Sequence, residues 1–485
     1  MLRVAPVVVR ERCTRVFVVA RIMLLYILRV VITKGALRSS AVRWVAALCI
    51  VLLLITASAI SVMTFSGARN NSFAVDLIFS INSVSSVLWS ALAFLITKML
   101  MASSSGMMSL TNLLAVTNKE RQRAVDVLEI LALFVIISAG LFSMTVGTMV
   151  SFGDEAVVPL LTCVVLPVLT TLAVLTTLYR VTDLMLAHLG INKNRGSIMI
   201  ALFFFVVVAS WRESISLVVK IASPMEKQPF SIWTLAYKDL VERYGSASLV
   251  FIFPACLFAL VAAFVLVPST NMEARSRFFD FPLPGSFVSG IKFHLAYVLR
   301  SRYAVESALL SIVFIAFMAT FPPGDVPSVL WGVEPVTFSG FYHFASVNPS
   351  IRVLEPNLSS TRMYSRMMVS QLLVVGCLAS LATFFDVLRG EELSATLTGT
   401  VGVLGSLIIS ICVGIAMPAM DDNPISVLVG TCIALSVLIL LSIITGVINV
   451  NSATTAMLVV LVACLAVAYS IYSLEANRKV NHASR

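Results

Sequence analysis

The sequence has little charge. Only 12% of its 485 residues are Asp, Glu, Lys or Arg, whereas soluble domains carry about 25%. The chain is 59% hydrophobic, with a mean hydropathy of +0.99. No charged residue lies between Arg43 and Arg69 or from Asn423 to Leu474. Because about 20 predominantly apolar residues cross a bilayer as a helix, these runs exclude a string of soluble domains and predict an all-α polytopic membrane protein.

The motifs of common catalytic and metal sites are also missing. There is no Gly-Lys dipeptide, so the chain has no P-loop for ATP phosphates. Neither a Gly-x-Ser-x-Gly elbow nor a His-Glu-x-x-His helix occurs, which argues against a hydrolase. The eight cysteines stand singly, as small buried hydrophobic residues do. The four histidines lie apart from Cys and carboxylate clusters, so we predict solvated or packing roles for His188, His294, His343 and His482. We predict a protein that is not an enzyme and binds no metal or cofactor itself.

Apolar runs separated by charged or turn residues predict twelve membrane spans, with ten or eleven as the alternatives. Their approximate bounds are 44–66, 75–98, 127–152, 156–179, 196–216, 245–267, 304–321, 327–347, 367–388, 395–418, 425–449 and 454–473. The fifth and eighth are weak, because Arg212 and Glu213 lie in the one and Glu334 in the other. With both termini in the cytoplasm, most of the 34 Lys and Arg residues fall in inner segments, as the positive-inside rule requires.

Three short motifs recur in the same order in the two halves of the chain. "YILR" at 26–29 returns as "YVLR" at 297–300, "TNKERQR" at 117–123 as "STRMYSR" at 360–366, and "MEA" at 272–274 as "LEA" at 474–476. Because each pair has an equivalent position relative to the spans, the motifs predict a 6+6 tandem duplication.

The predicted organisation therefore has five parts. They are a basic cytoplasmic or interfacial N-terminal segment (1–43), a first six-span unit (44–267), a cytoplasmic linker with an interfacial helix (268–303), a second six-span unit (304–473) and a basic cytoplasmic tail (474–485).

The charged stretch "LLAVTNKERQRAVDVLEI" at 113–130 lies between two of these apolar runs. Thr117, and Ser360 in the second copy, are predicted N-caps. Lys119 and Arg123 are four residues apart, hence on one helical face. We predict a short helix at the inner membrane surface that turns sharply into the third span.

Two roles for this element remain open. Its basic residues could contact anionic lipid head groups, which attract such side chains. Alternatively, they form a docking element for a cytoplasmic partner, one copy in each half. The recurrence of the motif favours docking, because lipid anchoring needs no particular spacing.

An inner element with a leucine, then Thr or Ser, then Lys or Arg, between the second and third of six spans, resembles the permeases of type-2 ABC exporters. The matching residues are Thr117, Lys119 and Arg123 in the first half and Ser360, Arg362 and Arg366 in the second. Many relatives carry a proline before the hydroxyl residue, whereas this chain has Ala115 and Leu358 near that place. Segments 15–34 and 287–303 correspond to the interfacial helices of that family.

The resemblance implies a function, a partner and a location. The inner loops would be coupling helices for cytoplasmic ATP-binding subunits, two copies of which would carry ATP and Mg²⁺. Glu120 and Arg121 would belong to the same coupling surface. The chain would be a multi-pass exporter permease in a bacterial inner or plasma membrane, surrounded by lipid and without a nucleic acid partner. Its apolar spans favour an amphipathic or lipid-like substrate.

Two other functions compete with the exporter. A secondary transporter of the major facilitator type also has twelve spans in two halves, although its Gly-x-x-x-Asp-Arg/Lys pattern is missing here. A polyprenol-dependent glycosyltransferase needs acidic residues in the first outer loop, where this chain offers only Asp76.

Two features are left open between a functional and a structural role. Glu334 either contacts substrate or lies at the mouth of a short hairpin. The outer loop 212–244 is either a folded cap or a solvated helical loop.

Overall fold

The computed structural model describes residues 4–34, 40–102, 116–190, 195–196, 198–207, 210, 233–266, 290–320, 328–355, 358–416, 461 and 463–475. These residues are almost entirely helical and form no sheet, which confirms the all-α prediction. The predicted span 425–449, residues 454–460 of the last span, outer-loop residues 211–232, the "MEA" motif and both chain ends lie outside the described residues.

Fourteen helices longer than two turns occur among the described residues. They are α1 Val4–Lys34, α2 Ser40–Ala68, α3 Ser72–Ala102, α4 Asn118–Phe152, α5 Leu166–His188, α6 Ile198–Val207, α7 Ala236–Tyr244, α8 Leu249–Leu266, α9 Gly290–Arg300, α10 Arg302–Met318, α11 Gly340–Leu354, α12 Ser360–Arg389, α13 Leu393–Ala416 and α14 Ala463–Glu475.

Six described helical stretches are long and apolar enough to cross a membrane. They are Ile50–Ala68, Phe73–Lys98, Asn118–His188, Ser246–Val265, Ser360–Arg389 and Leu393–Ile415. Each overlaps a predicted span, and their length and composition indicate a membrane protein. The twelve-span layout and the positions of the termini stay predictions.

The stretch Asn118–His188 folds back on itself. Gly153 has a positive φ of 59° immediately after α4. Asp126 and Arg180 form an ion pair at 2.6 Å, although a straight helix would separate them by about 80 Å. This stretch is therefore a helical hairpin that holds two predicted spans, 127–152 and 156–179.

Helices α2 and α8 expose their apolar side chains. Trp44 and Met63 on α2 are 78% and 74% exposed, and Phe251 on α8 is 78% exposed. Soluble proteins rarely expose apolar surface of this extent. Such faces fit the hydrocarbon of a bilayer.

The predicted eighth span is not one continuous helix. Of the predicted fifth span, the described residues include the ten-residue helix α6. The eighth is divided into a 3₁₀ turn Val329–Val333, a single helical turn Glu334–Thr337 and α11. A Cβ at Gly332 would lie 2.8 Å from the backbone nitrogen of Ile315, and Pro335 follows three residues later. Close backbone packing and a missing N–H donor account for the break.

The helices divide into two compact units. Unit 1 is formed by Met1–Leu25, Ala47–Ala102 and Met108–Glu273 and unit 2 by Tyr26–Ala46, Ser103–Met107 and Ala274–Arg485, each through its described residues. The largest fully buried side chains include Phe94 and Leu166 in unit 1. In unit 2 they include Ile315, Leu330 and Met367. Each unit therefore has an apolar core of its own.

Candidate functional site

The first predicted docking element begins helix α4. The Thr117 hydroxyl accepts a hydrogen bond from the backbone N–H of Glu120 at 3.3 Å, and the Glu120 carboxylate accepts one from the Thr117 N–H at 2.9 Å. This reciprocal capping box satisfies backbone donors that a helix start leaves unpaired. The prediction that Thr117 caps the helix is confirmed, and Glu120 is engaged in the same cap.

Helix α4 then continues without a break through the predicted third span. The predicted sharp turn is wrong, because no Gly or Pro interrupts residues 118–139 and the capping box starts a helix that nothing stops. Ala124 and Val125 are buried, Arg121 is half-buried, and Lys119 and Arg123 are exposed. The predicted basic pair therefore faces away from the unit.

The second element differs in its cap and in its charges. Ser359, rather than the predicted Ser360, is the N-cap of α12, and its hydroxyl accepts from the Arg362 N–H at 3.4 Å. Arg362 is exposed, but Arg366 is paired with Glu355 at 2.6 Å. The hydrogen bond from Arg366 holds the pKa of the Glu355 carboxyl below its ordinary value. One of the two predicted basic residues is thus used inside unit 2.

The observed caps shift the register of the sequence repeat. Lys119 follows its cap Thr117 by two residues, whereas Arg362 follows Ser359 by three. One residue rotates a side chain by about 100° around an α-helix. The match of "TNKERQR" with "STRMYSR" therefore holds for the helix start, but the basic residues do not occupy equivalent positions.

A buried ion pair joins α3 to α4 in unit 1. Lys98 near the end of α3 pairs with Glu129 on α4, and the two residues are 9% and 3% exposed. The Lys98 ammonium also lies 4.3 Å from the ring centroid of Tyr179 and 5.3 Å from that of Phe94. Cation–π contacts of this kind are strongest where water is excluded.

A second buried ion pair joins α4 to α5. The Arg180 guanidinium pairs with Asp126 at 2.6 Å and donates to the carbonyl of Phe264 on α8 at 2.6 Å. The same guanidinium lies 4.9 Å from the Phe264 ring centroid. Together, Lys98, Asp126, Glu129 and Arg180 form the charge cluster of unit 1, which links α4 to α3, α5 and α8.

Unit 2 contains a buried chain of neutral polar side chains. The Gln371 amide nitrogen lies 3.0 Å from Nδ1 of His343, and Nε2 of His343 lies 3.2 Å from Nδ1 of His294. The Ser339 hydroxyl lies 3.0 Å from the Gln371 amide oxygen. All four side chains are buried. Because the Gln371 nitrogen can only donate, His343 donates through Nε2 and His294 accepts through Nδ1.

His294 and His343 are buried and contact each other, which agrees with the packing role predicted for them. Burial, reinforced by the positive charge of Arg366, lowers the pKa of His294 to about 4. His294 is therefore neutral at pH 7, which the chain of hydrogen bonds requires.

The two polar links occupy equivalent positions. Glu129 stands twelve residues after its cap Thr117, and Gln371 stands twelve residues after its cap Ser359. Each reaches a side chain on a preceding helix, Lys98 in unit 1 and His343 in unit 2. The two units thus cross-link their helices at the same distance from a capped helix start.

Sequence reasoning missed the links themselves. The sequence patterns described above assign no individual role to Lys98, Arg180 or Gln371. The available signal was their placement within apolar helical runs, since an ionisable residue there is a functional or structural partner by default. The partners could not be assigned from sequence, because 54 residues separate Asp126 from Arg180.

Glu334 begins the single helical turn Glu334–Thr337 and is half-buried in unit 2. Its carboxylate lies 3.5 Å from the Thr337 hydroxyl and also bonds Ser406. These contacts neither require nor oppose a substrate at Glu334, so that role stays a prediction.

No group of three or more His, Cys, Asp or Glu side chains that could hold a metal ion occurs within the described part of the chain. No family model, curated protein or solved structure matches the chain. The likeness to type-2 ABC permeases therefore rests on the sequence elements named above.

Proposed function

We propose that the chain is a membrane permease that moves an amphipathic or lipid-like substrate, and that a separate ATPase subunit docks on the exposed first turns of α4 and α12. We place it in a bacterial cell membrane. The observation that supports docking most directly is the exposure of Lys119 and Arg123 at the capped start of α4. A basic surface of this kind suits an acidic cleft on a cytoplasmic partner.

The length of α4 supports a coupling role. Its 35 residues form one helix about 50 Å long. A push on Lys119 would therefore reach the apolar part of the helix without passing through a loop. The ion pairs of Asp126 and Glu129 would carry the displacement to α3, α5 and α8, so that the linked helices move together.

The test is a pull-down of the tagged protein from mild detergent. The variants are Lys119→Glu/Arg123→Glu for unit 1 and Arg362→Glu for unit 2. Lys119 and Arg362 lie in the first turn of their helices, where acidic residues are favourable, so a partner lost through these changes would not be explained by a frayed helix. Arg366 is left intact, because Glu355 needs it.

Arg243→Glu on the exposed surface of α7 is the matched control. We expect an ATPase to copurify with the wild type and with the control, and to be lost with the unit 1 variant. Loss with Arg243→Glu as well would show a non-specific charge effect. A wild type without any ATPase, in conditions that preserve assemblies, would remove the exporter proposal.

A secondary transporter is the second candidate. The charge cluster of unit 1 favours it, because buried ionisable residues in membrane helices often serve ion-coupled transport. In that case Glu129→Gln should abolish transport driven by an ion gradient, and charge reversal at Lys119 and Arg123 should leave it intact. The opposite pattern would exclude this candidate.

A further inference from the structure

Helix α7 is tied directly to a candidate membrane span. It follows the 3₁₀ turn Trp233–Leu235 and ends at Gly245, whose φ is 77°. A three-residue 3₁₀ turn then leads into α8. Glycine permits this left-handed conformation at little cost, so the chain bends sharply from α7 into the span.

One side of α7 is pinned to unit 1. The Tyr237 hydroxyl lies 2.6 Å from the Thr170 hydroxyl on α5 and 3.7 Å from the Cys256 sulfur on α8. Lys238 forms an ion pair at 2.8 Å with Asp76 near the start of α3. Burial lowers the pKa of Lys238, but the hydrogen bond and charge of Asp76 outweigh it, and the pKa lies above the ordinary value. The lysine therefore stays charged.

These contacts place α7 at membrane depth. Thr170 precedes Arg180 by ten residues, about 15 Å along one helix. Cys256 precedes Phe264 by eight residues, about 12 Å. Arg180 belongs to the charge cluster, which lies at the predicted inner ends of these helices. Because the hydrocarbon core is about 30 Å thick, the Tyr237 hydroxyl reaches roughly its middle, and the body of α7 lies in the outer half.

Helix α7 and its leading turn also carry exposed apolar side chains. Trp233 is 51% exposed, Leu240 37% and Tyr244 72%. Leu240 and Tyr244 are four residues apart on α7, hence on one helical face, and this is also the face of Tyr237, three and seven residues earlier. The charged residues Asp239 and Arg243 are exposed on another side.

We infer that α7 is an interfacial helix that lies at the outer boundary of head groups and acyl chains, with Trp233, Leu240 and Tyr244 directed to the acyl chains. Tryptophan and tyrosine concentrate at this depth of a bilayer, and short amphipathic helices bury one face at the boundary of head groups and acyl chains. Tyr237 and Lys238 hold the helix to unit 1. The described part of the outer loop is then a lipid-anchored element, and neither a free cap nor a solvated loop.

Spin labels along α7 test this inference. Single cysteines replace Leu240, Tyr244, Asp239 and Arg243 in turn in a background without the eight native cysteines, and each labelled protein is reconstituted in phosphatidylcholine–phosphatidylglycerol vesicles. Collision with dissolved oxygen reports lipid exposure, and collision with a water-soluble nickel chelate reports water exposure. We expect L240C and Y244C to favour oxygen severalfold over nickel, and D239C and R243C to show the reverse.

Every other pattern overturns the inference. Nickel access at all four positions would show a solvated helix above the membrane. Low access to both reagents at Leu240 and Tyr244 would show a protein partner on this face.

Brominated lipids give a second test with the native aromatic residue, after Phe replaces Trp44, Trp89, Trp211 and Trp331. Bromines near the head groups should quench Trp233 more than bromines deep in the chains, and equal or absent quenching would count against the inference. Neither measurement depends on the ATPase proposal.

Discussion

Unit 1 and unit 2 solve the same structural problem with different chemistry. Each must fix the start of a long capped helix to a neighbouring helix inside an apolar body. Unit 1 uses Lys98 and Glu129, both charged, and unit 2 uses His343 and Gln371, both neutral. A charged link gains strength from a low dielectric but costs several kcal/mol of desolvation per ion. A neutral link costs less to bury and holds less strongly.

The difference extends to the predicted docking surface. Unit 1 exposes Lys119 and Arg123, whereas unit 2 exposes Arg362 and uses Arg366 internally. The recurrence of a motif in the sequence therefore does not guarantee that the two units offer equivalent docking sites. If a partner docks on both units, unit 1 should contribute more of the charge.

The largest expected effect comes from breaking the charged link alone. Glu129→Leu leaves the Lys98 ammonium buried without its partner, which we expect to cost about 3–5 kcal/mol. The measurement is a heating assay on the detergent-solubilised protein. Samples are heated and then run on a size-exclusion column, and the midpoint is the temperature at which half of the monodisperse peak is lost. The double variant Lys98→Met/Glu129→Leu should recover most of the loss. Equal midpoints for the single and double variants would mean that the ion pair is not what holds the two helices.

Breaking the neutral link should cost less. Gln371→Leu leaves Nδ1 of His343 without its donor, and an unsatisfied buried polar group costs about 1–3 kcal/mol. The same size-exclusion assay should therefore show a smaller drop than Glu129→Leu gives. A larger drop would reverse the ranking of the two links.

Close glycine packing sharpens the comparison within unit 2. A Cβ at Gly414 would lie 2.7 Å from the carbonyl oxygen of Phe341, whereas nothing lies within 4 Å of one at Gly405 on the same helix. We expect Gly414→Ala to destabilise by about 1–3 kcal/mol, since backbone cannot move aside. Gly405→Ala is the control and should be neutral or stabilising in the heating assay. If both variants lose the same amount of stability, the close contact at Gly414 is not the cause of the loss.

The smallest expected effect is the pH dependence of stability that His294 contributes in unit 2. The pKa of His294 falls from 6.5 in the unfolded chain to about 4 in the folded protein, so between these values the unfolded chain binds more protons. Stability should therefore decline as pH falls from about 6.5, by about 1 kcal/mol between pH 7 and 5.5. The groups that act on His294 are His343, Arg366 and Glu355.

The comparison is between the wild type and His294→Gln, heated at pH 7 and pH 5.5. The His294→Gln variant should lose part of the pH dependence of the heating midpoint. The control His188→Gln, at an exposed position, should retain all of it. If the midpoint of His294→Gln changes between pH 7 and pH 5.5 as much as that of the wild type, another group causes the pH dependence of stability.

Local features of the fold were predictable from the sequence. The helix start at Thr117 follows from "TNKE", in which a hydroxyl and a glutamate three residues later satisfy each other's backbone donors. The six candidate spans follow from apolar length. The cap at Ser359 was missed by one residue, because two neighbouring serines offer the same hydroxyl. The break in the eighth predicted span was not predictable, because hydropathy does not report how closely Gly332 approaches another helix.

The sequence by itself determined that the chain is helical and apolar enough for a membrane, and where its capped basic elements begin, because apolar length and capping act over a few residues. Only the tertiary structure decided which polar groups meet. Lys98 pairs with Glu129, Asp126 with Arg180, and His294 contacts His343. The members of each pair are far apart in the sequence, so no local pattern predicts their contact. The same folding turned Arg366 inward and left Lys119 outward, since a side chain's partner depends on which helices pack together.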